Sequence, residues 1–238
     1  MITLHTYRGG DGLESFSPFC MKAEVYLKLA KLDYRTVIAN PRKAPKGKAP
    51  WIEDDGTIVC DSSAIISYLE KKHGSPIDKG LSEVDRARGH MVQRMFEESL
   101  YFVMLWSRWA EDEGWEKISR LFFDGIPAPI RAVVAPLVRR QVIKQAYMQG
   151  TGRHTRDEIY ALGEKDVRAF STLLGERPYI LDDQPRTADI TAYSFIANVI
   201  RVSVDNPVKD VAKNLKNVGD YVDRIERLVK SSPGRKDG

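Results

Sequence analysis

Cysteine is scarce in this chain: Cys20 and Cys60 are the only two among 238 residues. Two thiols make no disulfide framework, and they fit a reducing compartment in which both stay free. No run of about 18 apolar residues occurs, so no segment reads as a membrane-spanning helix. The chain opens directly into Ile2-Thr3-Leu4-His5-Thr6-Tyr7, which reads as a strand, with no basic and apolar leader ahead of it. The expected address is therefore cytoplasmic. Neither sign of charge dominates: 37 Lys and Arg against 33 Asp and Glu leave +4, spread along the chain and too small to indicate nucleic acid as a partner. The four histidines, His5, His73, His90 and His154, show no ligand spacing, so no metal site is expected. The glycine-rich run from Arg8 to Phe16 lacks the Lys-Ser/Thr of a phosphate loop and reads as plain connection.

What is present changes character near Gly74. Ser17-Pro18 starts a helix, with serine at the cap and proline at the first helical position, and Ala23, Tyr26, Leu27 and Ala30 give it an apolar face. A second strand falls at residues 34–38 and a basic, proline-containing loop at 40–48. Trp51-Ile52 and residues 57–60 read as two strands joined at Asp54-Asp55-Gly56, a hairpin signal. Asp61-Ser62 then stands where a helix cap belongs, before Ile65, Tyr68 and Leu69 on one helical face. Strand–helix–strand–loop–strand–strand–helix is an α/β order. Residues 74–80 are a linker by composition. Beyond it the pattern is helical. Ser82 and Asp85 open a long helix reaching about Ala110, with Met91, Met95, Phe102, Leu105 and Trp109 expected inward. Pro127, Pro129 and Pro136 are expected to kink or interrupt any helix over 124–136. Thr155 and Glu158 form a capping box for a helix bearing Ile159, Leu162, Val167, Phe170 and Leu173, closed at Gly175. Residues 187–204 read as a buried helix, Asn206-Pro207 starts another, and 215–229 is amphipathic. The expected domains are 1–78 and 82–232, with a tail at 233–238.

Ser17-Pro18-Phe19-Cys20 follows a strand and opens a helix, where free amides and a partial positive charge favour an anion by roughly 0.3–2 kcal/mol. Bringing a thiol pKa down by about two units needs roughly 2.7 kcal/mol. One hydroxyl hydrogen bond plus the helix end supplies that together. Ser-Pro is equally a preferred helix start, so the order of the other motifs matters. Gly47-Lys48-Ala49-Pro50 and Asp61-Ser62-Ser63-Ala64-Ile65 resemble the Gly-Lys-x-Pro and acidic-Ser-x-Ala-Ile pattern of the glutathione transferases. The segments RMFEESLYFVMLWSRW and GTGRHTRDEIYALGEKDVRAFSTLLGERPYILDDQPRTADIT resemble the metaxin-like, failed axon connections branch of that superfamily, so the likeness covers residues 4–204.

The resemblance implies a thioredoxin-like, glutathione-binding α/β domain followed by an all-α domain. It places Ser17 where a serine or cysteine meets the glutathione sulfur, and assigns Phe19, Lys48, Ala49, Pro50, Asp61 and Ser62 to binding the tripeptide. A cis bond before Pro50 would turn the Ala49 amide and carbonyl toward the cysteinyl part. Ser62 would take the γ-glutamyl carboxylate, Asp61 the neighbouring ammonium, and Lys46 or Lys48 the glycyl carboxylate. Tyr101 or Trp106 would line the second-substrate pocket. Tyr7 and Cys20 remain alternatives for the sulfur, although the loop after Tyr7 is expected to carry it away from Ser17. The implied activity is conjugation of glutathione, as co-substrate and without a metal, to a small apolar electrophile by a homodimer. A glutathione-dependent thiol reductase is the alternative within the class. The alternative outside it is a non-catalytic, metaxin-like interaction protein touching a membrane through residues 130–145; no stable membrane association is expected. One departure is Arg186-Thr187-Ala188-Asp189, which puts arginine where the family caps its buried helix with Ser or Thr.

Overall fold

The computed structural model describes residues 1–40, 42–74 and 76–232; the tail expected at 233–238 lies outside them. Strand β1 (Ile2–Thr6), helix α1 (Pro18–Leu29), strands β2 (Tyr34–Ile38), β3 (Trp51–Asp54) and β4 (Thr57–Cys60), and helix α2 (Ser62–His73) follow in the expected order. The sheet runs β2-β1-β3-β4, with β2 parallel and β3 antiparallel to β1. Strand alternation sorts its faces. Leu4 and Ile52 are register partners and join α1 and α2 in the main core, while His5 and Trp51 stack at 4.2 Å on the opposite face. Asp55 and Gly56 both have positive φ, 48° and 82°, as a two-residue hairpin turn of the right twist requires. Because His5 pairs with Trp51 and Trp51 with Cys60, the end of β1, the start of β3 and the end of β4 meet at one end of the sheet.

The helical part comprises α3 (Glu83–Arg94), a π-helical turn (Met95–Leu100), α4 (Tyr101–Trp109), α5 (Asp112–Phe122), α6 (Ala128–Gln149), α7 (Arg156–Leu174), α8 (Thr187–Arg201), α9 (Pro207–Asn214) and α10 (Lys216–Ser231). Helix α8 is its axis: residues 188–200 are all buried, and it packs against α1, α3, α9 and α10. Its internal hydroxyls are satisfied locally, Ser194 donating to Ile190 O (2.7 Å) and Thr191 to Thr187 O (3.1 Å).

Several expectations are corrected. Met91 is 72% exposed, and Val92 and Phe96 take the core instead, while Leu105 and Trp109 are buried as expected. One regular helix cannot satisfy both halves. The π-turn inserts an extra residue and shifts the phase between them. Helix α6 runs unbroken through Pro136 rather than being interrupted. Leu162 and Leu173 are exposed on α7, with Tyr160 and Leu174 turned inward instead. Helix α5 was not anticipated.

The cap of α8 comes from outside the helix. A guanidinium cannot accept a hydrogen bond, so the side chain of Arg186 caps nothing; it turns away to Asp182 and the carbonyls of Ile77 and Lys79. Asp189 accepts from the Arg186 amide (2.9 Å). Asp78, in the linker, accepts from both Thr187 N (3.0 Å) and Thr187 Oγ1 (2.6 Å). Asp78→Ala should therefore lower the unfolding free energy by about 1–2 kcal/mol with an unchanged urea m-value. An unmoved urea midpoint would mean that water caps α8 equally well.

Candidate functional site

Three chain turns converge where β1, β3 and β4 meet. The first is residues 8–16. Phe16 N donates to Arg8 O (3.0 Å), and Gly10 and Leu13 pair with each other, so the loop closes on itself. Gly9 is required there, because a Cβ would lie 2.1 Å from Leu13 O. The chain consequently returns to its starting point. Ser15 Oγ donates to Tyr7 O (2.9 Å) and accepts from Ser17 N (3.2 Å). The loop thus keeps Tyr7 beside Ser17 instead of carrying it away, correcting the expectation from loop length.

Ser17 is the N-cap of α1, with extended backbone (φ −95°, ψ 118°), and its Oγ accepts from Cys20 N at 3.4 Å. Accepting there leaves the hydroxyl hydrogen to donate, and the Cys20 sulfur is an acceptor within its reach. Phe19 turns its ring edge-on to Tyr101 (4.8 Å) and Phe195 (5.2 Å). Cys20 is fully buried, and burial pushes its thiol pKa up despite hydrogen bonds from the Tyr7 backbone and from Ser17, Thr6 and Ser15. It stays a neutral thiol at neutral pH. Burial also pushes the Tyr7 hydroxyl up to about 12, with Cys20 adding to the effect.

The second turn is the Ala49-Pro50 corner, whose peptide bond is cis. Pro50 O accepts from Asp61 N (3.1 Å), joining this corner to the third turn, the start of α2. Asp61 holds φ 85° there, an uncommon conformation for a residue with a side chain. It stands at the N-cap position of α2, as expected, and its carboxylate accepts from Lys48 Nζ (2.9 Å). Burial alone would raise the Asp61 pKa, but Lys48, the Ser63 amide and Lys46 together hold it below the usual carboxylate range. The Lys48 pair is exposed and worth under about 1 kcal/mol, so either partner can be drawn off by a competing charge. Ser62 is 1% exposed, and its Oγ has no partner among the described residues.

Beneath these turns lies a buried polar cluster that sequence reasoning missed. Lys22 of α1 donates to Glu97 of the π-turn (2.6 Å) and to Ser63 Oγ (2.9 Å); Gln93 donates to the same Ser63 oxygen (2.7 Å) and to Glu97 (3.0 Å). Burial lowers the Lys22 pKa, and Glu97 works against that shift. A second latch fixes the first turn: buried Arg108 donates to Phe16 O (2.8 Å), Asn198 O (2.8 Å) and Asn198 Oδ1 (3.1 Å), while Asn198 Nδ2 reaches Ser15 O (3.2 Å). A single arginine inside the apolar run of α4 was the available signal. Burial lowers the Arg108 pKa to about 10, leaving it charged at neutral pH. Tyr101 lies close to Arg108, Tyr7 and Cys20, and burial lifts its hydroxyl to about 12, with the Arg108 charge working against the rise. Trp106 sits about 140° round the helix from Tyr101; the site does not bring the two together. Phe122 of α5, also missed, packs on Tyr7 (6.1 Å) and Phe16 (6.4 Å).

Residues 18–114 match the Glutathione S-transferase N-terminal domain family, and residues 163–225 the Glutathione S-transferase C-terminal domain family. An isoprene-epoxide–glutathione S-transferase of Rhodococcus sp. (strain AD45) is 30% identical over 95% of this chain and 98% of its own length. The chain belongs to the glutathione S-transferase superfamily. Its relatives in the metaxin and failed axon connections branch include the Drosophila melanogaster Failed axon connections protein, 26% identical over 95% of this chain and 57% of that protein. The fold is shared with a Phanerochaete chrysosporium glutathione transferase, at TM-score 0.68 and 15% identity over 95% of this chain and 96% of that one.

One further relative corrects the expected address. An Arabidopsis thaliana protein named as a mitochondrial outer membrane import complex protein is 23% identical over 84% of this chain and 64% of its own length. The name of that relative places it at a membrane, which overturns the expectation of a purely cytoplasmic address. The expectation had rested on the missing leader and missing span, and neither separates a dissolved protein from one held at a membrane surface. Among the described residues no helix is long and apolar enough to cross a membrane.

The two thiols of this glutathione transferase relative differ in accessibility: Cys20 is buried and Cys60 partly exposed. Iodoacetamide at neutral pH should label Cys60 in the folded protein and spare Cys20 until denaturant is added, as read by peptide mass spectrometry. Equal labelling of both in the folded state would contradict the burial of Cys20.

Proposed function

We propose that this chain is a glutathione transferase that ionises glutathione at Ser17 and adds it to a small apolar electrophile, working as a homodimer. The observation that carries the reading is Ser62: a buried hydroxyl without a partner, at the start of α2, beside the cis Ala49-Pro50 corner and the Ser17 cap of α1. A buried hydroxyl left unpaired costs about 1–3 kcal/mol, and a γ-glutamyl carboxylate on Ser62 would satisfy it at a helix end that favours anions. Asp61 would hold the adjacent ammonium, Ala49 would pair with the cysteinyl backbone, and Lys48 would leave Asp61 for the glycyl carboxylate. With its Oγ accepting from Cys20 N, Ser17 would turn its proton from the Cys20 sulfur to the glutathione sulfur. The thiolate then attacks the electrophilic carbon, the carbon–heteroatom bond breaks, and the leaving atom takes up a proton. The aromatic surround of Tyr101, Phe122 and Tyr7 suits an apolar electrophile, and the epoxide substrate in the name of the Rhodococcus relative agrees in kind.

A second reading, a non-catalytic interaction protein, is favoured by the metaxin relatives, among them human Metaxin-1 at 22% identity. The two separate on the bench. Ser17→Ala should leave glutathione affinity nearly unchanged, raise the pKa of the bound thiol by about one to two units, and cut turnover near neutral pH by roughly ten- to a hundredfold, with partial recovery in alkali. Ser62→Ala should weaken glutathione binding more than it moves the pH profile. Retention of full activity with an unshifted profile in Ser17→Ala would reduce Ser17 to a cap, and a wild-type protein that binds no glutathione in calorimetry would support the second reading.

A further inference from the structure

The expectation of no stable membrane association rested on the missing hydrophobic span and on three prolines between Asp124 and Pro136 that would spoil a continuous amphipathic face. The structure removes the second ground. Pro127 precedes α6 as its N-cap, Pro129 sits in the first turn, and the helix passes through Pro136 to Gln149; a first-turn proline lacks only an N–H that would have no helical partner. One side of α6 is fixed to the protein. Arg139 donates to Trp109 O (2.8 Å), Ala110 O (2.9 Å) and Asp112 (2.8 Å) and lies over the Trp115 ring, while Ala135 and Ala146 are buried. At about 100° per residue, the opposite side comprises Ile130, Val133, Leu137, Gln141, Lys144 and Met148, with Arg140 at its edge.

A helix lying on a protein normally turns polar residues outward. Here Ile130, Val133, Leu137 and Met148 are 54–64% exposed. Charge of one sign runs through the same stretch. Between Asp124 and Asp157 there is no carboxylate; α6 itself carries Arg131, Arg139, Arg140 and Lys144, of which Arg139 pairs inward with Asp112, and Arg153 and Arg156 follow it. Six cations against a net +4 for the whole chain leave +4 − 6 = −2 for the remainder, so the charge is not spread evenly after all.

We propose that α6 is a membrane-surface helix, which lays the stripe from Ile130 to Met148 into the headgroup boundary of an anionic bilayer. Apolar tips enter the acyl region while the stems of Arg140 and Lys144 carry their charges to lipid phosphates. A second copy is a poor occupant, because a two-fold contact along α6 would bring two sets of these cations together with no carboxylate of the helix to pair them. A single convex ridge along 22 residues also suits a flat apolar boundary rather than a partner's pocket. The inference is independent of the glutathione reading.

Full-length protein should co-sediment with phosphatidylcholine vesicles containing about one-third phosphatidylglycerol at least tenfold better than with pure phosphatidylcholine, and less well as salt rises. The double variant Ile130→Ser/Leu137→Ser should weaken that binding about tenfold, with an unchanged melting temperature, since both positions are exposed. Arg140→Glu/Lys144→Glu should abolish the preference for anionic vesicles, each cation being worth roughly a factor of five near such a surface. If both variants bind as the wild type does, another surface is responsible and the proposal fails. If the wild type sediments with neither vesicle, the bilayer is overturned as the occupant and the stripe belongs to an acidic protein partner.

Discussion

Arg108 is a fully buried guanidinium held entirely by neutral oxygens: the carbonyls of Phe16 and Asn198 and the Asn198 side chain. A buried charge is tolerable only when its donors are satisfied. Those acceptors come from two distant places in the chain and the donor from a third, so satisfying one cation fixes the first turn, α4 and α8 relative to one another. Asn198 repeats the constraint by reaching Ser15 O and Met21 Sδ. The start of α1 is thereby held from behind, by the helical part of the molecule. Ser17 inherits its position from this latch as much as from its own role as a cap.

The electrostatics around the three converging turns follow a consistent division. Where a charge is deeply buried, its hydrogen bonds are met inside a network: Arg108 by neutral oxygens, Lys22 by Glu97 with the support of Gln93 and Ser63. Where it is accessible, as in Lys48 with Asp61, the pairing is weak and exchangeable. The first kind gives shape, because breaking a buried pair leaves an uncompensated charge. The second kind leaves charge available to a ligand. Tyr7 and Cys20, the other candidates for the sulfur, are both pushed toward their neutral forms by burial. Ser17, partly exposed, carries its hydroxyl at the N-terminus of α1, the end of a helix that favours an anion.

Much of this was legible in the sequence because the signals were local. Asp55-Gly56 demands one kind of turn, Ser17-Pro18 one kind of helix start, and Thr155 with Glu158 a reciprocal cap, whatever surrounds them. The illegible features depend on partners far away in the chain. The π-turn at Met95–Leu100 leaves no composition signal, yet it shifts the phase of the helix and carries Glu97 to Lys22. The closure of residues 8–16 rests on a steric demand at Gly9 that no spacing rule reports. Pro136 misled in the opposite direction: a helix anchored by Arg139 and by buried alanines keeps its course where an isolated one would not. At the site, sequence pattern located the residues on the turns themselves and missed those beneath them, since a lone buried Lys or Arg has no motif.

The cap of α8 has a consequence for how this chain can be divided. By composition, residues 74–80 form a dispensable tether, the kind of place where chains are cut, lengthened or fused. Yet Asp78 closes the end of the central helix, and Arg186 reaches back to the carbonyls of Ile77 and Lys79. The tether is therefore part of the helical core it leads into. A fragment beginning after residue 80 would carry α8 with its first turn open, and a spacer inserted beside Asp78 would pull the carboxylate off Thr187. The two halves of this protein are joined as a lintel is joined to its post, and a cloning boundary drawn by sequence composition would fall through the joint.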